Sequence, residues 1–275
     1  MPGEGTPRSL SPLFQDTSPD PAIGVGLPNG RLVAPRRHEA PAYWLSDGPV
    51  SPDLWASLRR VHEKSGLWPV LIRPSRPGDY TPWTTGKVCP EPVAEIGRRD
   101  VGAILRDLWT DRAAGIAGDS EFRELAPYGR DWPGLAVAVG GAGLLRQDAG
   151  EAADKFVLEN DDGTSRIMLI PAIRSADVVT AMGWRGPAGL TRTSVASLSA
   201  VVRSWEERFG VRLVQVGFDS MFLTVANPPV TQEHAERVAA EHFAFCPDNI
   251  IQGPGTIGRY AAKIRRLPCW GFFWG

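Results

Sequence analysis

The stretch 194–249 constrains the fold most, because it predicts helix, strand, turn, strand and helix in unbroken order. Its first part carries large apolar residues at helical spacing up to Phe209, and Gly210 is a typical helix end. Two short apolar runs, 212–216 and 221–225, then predict paired strands around a tight turn. Thr231 is a good cap for the second helix.

The flanking segments extend this pattern into an α+β domain. An apolar strand is predicted at 167–170, a short helix around Tyr260, and a closing aromatic strand at 269–274. The resulting order, β-α-β-β-α-β, is typical of a split β-α-β arrangement. We therefore expect a mainly antiparallel sheet with the helices packed on one face.

The preceding part of the chain is less regular. Ser51 and Pro52 predict the start of a helix, and 67–72 is an apolar run in which Pro69 favours an edge strand or a strand start. Further helices are expected at 93–112 and 148–158, with a short strand at 135–139. This part can extend the same sheet.

The first 41 residues are rich in proline, glycine and serine, and we interpret them as a flexible arm. Within this arm, 23–27 and 31–33 are candidates for a hairpin around Asn29-Gly30. The expected organisation is therefore an arm at 1–41, an N-terminal α/β region at 42–165 and a C-terminal α+β domain at 166–275.

Composition excludes several classes of protein. The formal net charge is −1 with acids and bases mixed, so no basic field favours nucleic acid. No apolar run is long enough to cross a bilayer, and no signal peptide is found near the N-terminus. Three cysteines stand far apart, which favours a reducing compartment. We expect a cytoplasmic protein with no nucleic-acid or membrane partner.

Three segments resemble an uncharacterised bacterial family, domain of unknown function 4253. They are WEERFG at 205–210, AEHFAFCPD at 240–248 and WGFFW at 270–274. The resemblance covers about the last 110 residues, and 51–72 and 132–135 resemble the region that precedes this domain in longer members. It implies a compact C-terminal domain, and supplies no reaction, cofactor or catalytic residue.

His242 and Cys246 are the foremost candidates for chemistry, because residues four apart on a helix share a face. They are either a thiolate–imidazole pair, with Asp248 orienting His242, or two core residues beside Phe243. As zinc ligands they lack partners at a familiar spacing. We therefore predict no metal site.

The candidates for ligand binding are the aromatic and polar residues of the same region. They are Trp205, Glu206, Asn249, Trp270 and Trp274. Core packing is the alternative use of the tryptophans, and a turn is the alternative use of Asn249. Trp274 is the tryptophan that we expect to be partly exposed.

No motif for a cofactor or a familiar hydrolase is present. The glycine run at 140–143 departs from the dinucleotide fingerprint, and no GxSxG or HExxH pattern occurs. We therefore expect no cofactor and a non-catalytic binding module with an unknown protein or small-molecule partner, of which an immunity-type protein is one form. The alternative is an enzyme of unknown reaction that uses Cys246, His242 and Asp248.

Overall fold

The structure is a computed structural model. It describes residues 10, 23–36, 39–74, 76, 78–116, 118–138, 147–186 and 193–275. The glycine run at 140–143, position 139 of the predicted strand and much of the predicted arm lie outside these residues.

One open, mixed sheet of seven strands runs through the described residues. The strands are β1 Gly30–Val33, β2 Tyr43–Ser46, β3 Leu67–Ile72, β4 Arg166–Pro171, β5 Val211–Val216, β6 Ser220–Val225 and β7 Cys269–Phe273. Their order in the sheet is β1-β2-β4-β3-β5-β6-β7. Every neighbouring pair is antiparallel except β3 and β5. The prediction of an α+β fold with a mainly antiparallel sheet is confirmed.

Strand β3 lies in the interior of the sheet, so the expectation that Pro69 marks an edge strand is wrong. All six residues of β3 pair with β4, but only Leu71 and Ile72 pair with β5. Pro69 therefore precedes the residues that pair with β5. The N–H group that proline lacks is not needed for that pairing. The Trp68 indole bridges this gap by donating to the carbonyl oxygen of Leu213 at 2.9 Å.

Helices surround the sheet. The α-helices are α1 Pro52–Arg60, α2 His62–Ser65, α3 Val101–Gly115, α4 Asp119–Leu125, α5 Ala149–Asn160, α6 Val178–Met182, α7 Val195–Phe209, α8 Gln232–Phe245, α9 Asp248–Ile251 and α10 Ile257–Ile264. Short 3₁₀ helices occupy Trp83–Thr85, Val93–Arg98 and Ser175–Asp177.

These helices cover both faces of the sheet, which corrects the expectation of a single covered face. The larger core lies between the sheet and α3, α7, α8 and α10. A smaller core on the other face contains Trp55 of α1 and Val157 of α5, packed with Leu71 of β3 and Leu169 of β4. Strand β3, with its apolar side chains divided between the two cores, is buried along its whole length.

The helix starts predicted from Ser51 and Thr231 are confirmed, and Asp148 and Ser194 cap two further helices. The side chains of Ser51, Asp148, Ser194 and Thr231 each accept a backbone hydrogen bond from the first turn. Gly210 follows α7 in the left-handed conformation, with a φ of 64°. These short-range contacts fix where the helices begin and end.

Two predictions for the middle of the chain are wrong. The helix expected at 93–112 is divided, because Asp100 accepts a hydrogen bond from Ala103 N and starts α3 anew. The described part of the strand expected at 135–139 pairs with no strand. Instead, Ala136 N donates to a carboxylate oxygen of Glu241 at 2.7 Å.

The first strand corrects the hairpin predicted at 23–27 and 31–33. β1 pairs with β2, and residues 23–27 form no strand. A Cβ atom at Gly30 would lie 2.2 Å from the Trp44 ring, so glycine is required here by the close approach of β2 rather than by a turn. Leu10 and Ile23 are buried in the smaller core.

No helix in the described part of the chain is both long enough and apolar enough to cross a membrane.

Candidate functional site

His242 lies near the end of α8, inside the larger core. Its side chain is 0% exposed. The rings of Trp205, Trp270 and Phe272 surround it with centroid distances of 4.5–5.0 Å. The structure thus places this candidate in an aromatic cluster that solvent does not reach.

Tyr260 is the hydrogen-bond partner of the His242 ring, and burial keeps this ring neutral. Nδ1 of His242 lies 3.1 Å from the Tyr260 hydroxyl, which accepts a hydrogen bond from Asn249 Nδ2 at 3.3 Å. The direction of the His242–Tyr260 hydrogen bond depends on which ring nitrogen carries the proton. Nε2 of His242 has no hydrogen-bond partner among the described residues. Burial, aided by the charge of Arg208, lowers the His242 pKa to about 3, so the imidazole is neutral at physiological pH.

Cys246 follows the last residue of α8 and makes its side-chain hydrogen bonds to the β7 edge and to Asn249. Its thiol donates to the carbonyl oxygen of Phe273 at 3.1 Å and lies 3.6 Å from Asn249 Oδ1. Burial raises the pKa of this thiol to about 12, so the reactive thiolate is scarce at neutral pH.

Asp248 lies at the start of α9 and has a different hydrogen-bond partner. Its Oδ2 atom accepts a hydrogen bond from Gly275 N at 3.2 Å. Tyr260 and Asn249 connect His242 to Cys246, whereas Asp248 bonds to Gly275, and the structure shows no direct hydrogen bond between the three candidate side chains. The structure does not join them in a thiolate–imidazole–carboxylate relay.

Asn249 caps the outer edge of β7. Its Nδ2 donates to the carbonyl oxygen of Gly271 at 2.6 Å, and its Oδ1 accepts from Phe273 N at 2.9 Å. Gly271 and Phe273 are two apart on the strand, so both present their backbone groups on the side away from β6. Together with the Cys246 thiol, this amide occupies the positions that a further strand would use.

Glu241 is the buried residue that the sequence interpretation missed, since the helical pattern placed it on the solvent side of α8. Its side chain is 0% exposed and forms a two-armed ion pair with Arg208, with distances of 2.7 and 2.6 Å. It also accepts from the indole N–H of Trp205 and from Ala136 N, each at 2.7 Å. Arg208 Nη1 donates to the carbonyl oxygen of Ala136 at 2.8 Å. The network ties residues 132–138 to α7 and α8.

The remaining candidates are structural in their contacts. Trp205 and Trp270 are buried, and so is Trp274, which is 3% exposed and corrects the expectation of partial exposure. Glu206 accepts from Arg174 Nε at 3.1 Å and from the Ser175 hydroxyl at 2.8 Å. Its carboxylate thereby holds the 3₁₀ turn after β4 against α7.

An open surface pocket of about 420 Å³ lies beside the β7 edge. Its polar lining is Asp219, Asp248, Asn249, Gln252, Tyr260 and Lys263, and Phe273 and Trp274 add aromatic surface. We call it the Lys263 pocket. Lys263 forms no ion pair within the described part of the chain, so its ammonium group is free to meet a ligand. The turn position of Asp219 is visible in the sequence, but its meeting with α10 is not.

No group of three histidine, cysteine or acidic side chains among the described residues is arranged to hold a metal ion.

Comparison with known proteins assigns the C-terminal part of the chain to a family. A family model described as a domain of unknown function, DUF4253, matches residues 166–275. These residues form a DUF4253 domain. The DUF4253 domain contains β4 to β7, the buried His242 cluster and every residue that lines the Lys263 pocket. No curated protein and no solved structure matches the chain.

The strand between β4 and β5 comes from outside the DUF4253 domain. β3, at Leu67–Ile72, separates these two strands of the domain in the sheet. β3 is antiparallel to β4 and parallel to β5. The domain is therefore joined to the preceding residues through the centre of its own sheet.

Proposed function

We propose that this protein is a non-catalytic binding module that holds a ligand or partner at the Lys263 pocket. The observation that carries this proposal is that the candidate catalytic side chains are buried, whereas other polar side chains lie in an open pocket. The candidate nucleophile Cys246 and the candidate base His242 are both 0% exposed. Charged and polar side chains that form no part of that cluster, such as Asp219 and Lys263, line an open pocket instead.

The geometry around Asn249 supports a rigid binding surface. Its amide fixes the backbone of Gly271 and Phe273 beside the pocket, and its Nδ2 also holds the Tyr260 hydroxyl. A pocket whose walls are fixed before binding loses little conformational entropy when a ligand enters. We also propose a reducing, cytoplasmic location, because Cys89, Cys246 and Cys269 are all unpaired.

The alternative is an enzyme that uses Cys246 as a nucleophile, and thiol labelling separates the two functions. We expect a protein with Cys246 as its only cysteine, Cys89 and Cys269 being replaced by serine, to resist iodoacetamide at pH 7 until it unfolds. The matched control keeps only Cys89, which is exposed and should react in the folded protein.

Rapid labelling of folded Cys246 at pH 7, at a rate close to that of Cys89 or faster, would contradict the binding proposal. It would show that the thiol opens to solvent as a thiolate, as nucleophilic catalysis requires.

A further inference from the structure

A second surface pocket, of about 480 Å³, lies beside the Lys263 pocket. The two share the stretch of chain at 251–256. Residues 252–254 line the Lys263 pocket, whereas 251, 255 and 256 line the second one. The opposite wall of the second pocket includes Glu121, Glu124 and Leu125 of α4, and we call it the Glu121 pocket. Residues 251–256 are thus a ridge between two pockets.

The two pockets share one chemical feature. Each contains two carboxylates and one large apolar side chain that is 53% exposed. These are Asp219 and Asp248 with Phe273, and Glu121 and Glu124 with Ile251. An exposed apolar side chain thus lies beside two carboxylates on each side of the ridge.

The charges around the ridge are not neutralised within the described part of the chain. Buried or half-buried carboxylates elsewhere, such as Asp154 and Glu241, pair with arginines. The four pocket carboxylates form no ion pair with a described residue. With Lys263 as the one cationic side chain, the lining carries an excess of three negative charges. Arg259 and Arg265 lie nearby in sequence but line neither pocket.

We propose that the two pockets form one docking surface for a basic segment of a partner protein. This segment crosses the ridge and places one arginine or lysine side chain in each pocket. The inference rests on the proposed binding function, and it names the chemistry of the partner.

The composition of each pocket matches such a side chain along its length. Arginine and lysine have an apolar stem and a cationic head. The stem lies on Phe273 or Ile251, and the head reaches the two carboxylates of the same pocket. In the Lys263 pocket, a guanidinium also gains from the face of the Phe273 ring. Lys263 then meets a carbonyl or carboxylate oxygen of the partner.

Capped peptides with two arginines, separated by two, three or four neutral residues, are the probes for this surface. Matched peptides carry glutamine or glutamate at the two arginine positions. Binding to the full chain is measured by isothermal titration calorimetry at 50 and 300 mM NaCl. We expect at least one arginine peptide to bind, more weakly at the higher salt concentration, because exposed charge pairs are screened. The glutamine and glutamate peptides should bind more weakly still.

Two double variants locate the binding. Asp219→Asn with Asp248→Asn removes the carboxylates of the Lys263 pocket, and Glu121→Gln with Glu124→Gln removes those of the Glu121 pocket. Each double variant should weaken binding of the arginine peptide by about two- to twentyfold, since an exposed ion pair contributes ~0.2–1 kcal/mol. Glu63→Gln is the matched control, because Glu63 is exposed and lines neither pocket.

Several outcomes overturn the inference. If the glutamine peptide binds as tightly as the arginine peptide, or if neither double variant weakens binding, the surface does not recognise the charge of its partner. An effect of one double variant alone excludes a ligand that spans the ridge. Binding of the glutamate peptide that is lost in Lys263→Gln identifies an anionic partner, and then the proposed function stands while this inference fails. If no peptide binds, the inference fails, and labelling of Cys246 decides the proposed function separately.

Discussion

A carboxylate without solvent contact has to be stabilised by its neighbours, and Glu241 has such neighbours on every side. Arg208, the Trp205 indole and Ala136 N all donate to it. Removing one partner of a buried pair leaves the other charge in a region of low polarity, and the protein loses more than the interaction itself. Glu241 is therefore a residue whose charge should contribute strongly to stability.

Glu241→Gln should lower the free energy of unfolding by about 3–5 kcal/mol, because it leaves the charge of Arg208 unpaired. Glutamine keeps the shape of the side chain, so the variant removes the charge without opening a cavity. Urea denaturation followed by tryptophan fluorescence measures the change. Glu207→Gln is the control, since Glu207 pairs with Arg174 but its side chain is 63% exposed, and it should cost less than about 1 kcal/mol. Similar values for the two variants would refute the central role of Glu241.

His242 makes stability depend on pH in a stated direction. Its pKa in the folded protein is about 3, because burial disfavours the imidazolium, whereas an unfolded chain has a histidine pKa near 6.5. As the pH falls below 6.5, the unfolded state binds a proton that the folded state does not, and stability is lost. The window for this loss runs from pH 6.5 down to about pH 3.

Between pH 6 and pH 5, this one histidine should reduce the free energy of unfolding by about 1 kcal/mol. His242→Gln should lose less over the same interval by about that amount, with a residual slope from His62, whose pKa is also lowered by burial. Urea unfolding at both pH values measures the difference. Direct NMR titration of the His242 ring in the unmodified protein tests the same point, and a midpoint near pH 6 would contradict it.

At the scale of elements, the outer edge of β7 is covered by the side chain of one residue, Asn249. An unpaired edge strand is a template for pairing with other chains. The side-chain amide of Asn249 blocks this edge by bonding Gly271 and Phe273. The end of α8 and the start of α9, which the sequence suggested as a catalytic centre, therefore cover this edge of the sheet.

Asn249→Ala should destabilise the protein by about 1–3 kcal/mol, because it leaves backbone groups of β7 without partners. It should also promote self-association through the freed edge. Urea unfolding and light scattering measure the two effects. Gln252→Ala is the control, as its amide reaches only the Gly275 carbonyl oxygen. Unchanged stability and scattering in Asn249→Ala would show that this edge needs no cap.

The elements that could be predicted are those set by neighbours in sequence. The caps Ser51 and Thr231 act within one helical turn, so their helices begin where the sequence indicates. Pairings across long separations gave most of the errors, and the helix expected at 93–112 is a local one, since Asp100 divides it. The position of β3 between β4 and β5 depends on residues more distant than any local pattern reports. The same holds for the site, because the helical spacing of His242 and Cys246 is visible, but the contacts of Asn249 and Glu241 are not.

At the scale of the whole molecule, the sheet joins the two predicted regions more closely than a linker would. The DUF4253 domain holds β4 and β5, and β3 fills the space between them. The segment 132–138 adds a second connection through Glu241 and Arg208. A chain starting at residue 166 lacks both connections.

Residues 166–275 alone should therefore fail to form the native sheet, whereas co-expression with 1–165 should restore it as a complex of two fragments. The break lies between the turn after α5 and Arg166, the first residue of β4, so the 166–275 fragment keeps the whole of β4. NMR spectra of the isolated fragment and of the co-purified pair measure the result. A well-dispersed native spectrum from 166–275 alone would show that β3 is dispensable.

The central position of β3 also has a consequence for biosynthesis. Ile72 leaves the ribosome well before Arg166, the first residue of its neighbour β4. At ~5–20 residues per second, the intervening chain takes on the order of 10 s to translate. During that interval the apolar strand Leu67–Ile72 has neither of its two strand partners, because β4 and β5 both follow it in the chain. The middle of the finished sheet is therefore the part that waits longest for its neighbours, and a chaperone that shields apolar segments at the ribosome exit would protect it until β4 and β5 emerge.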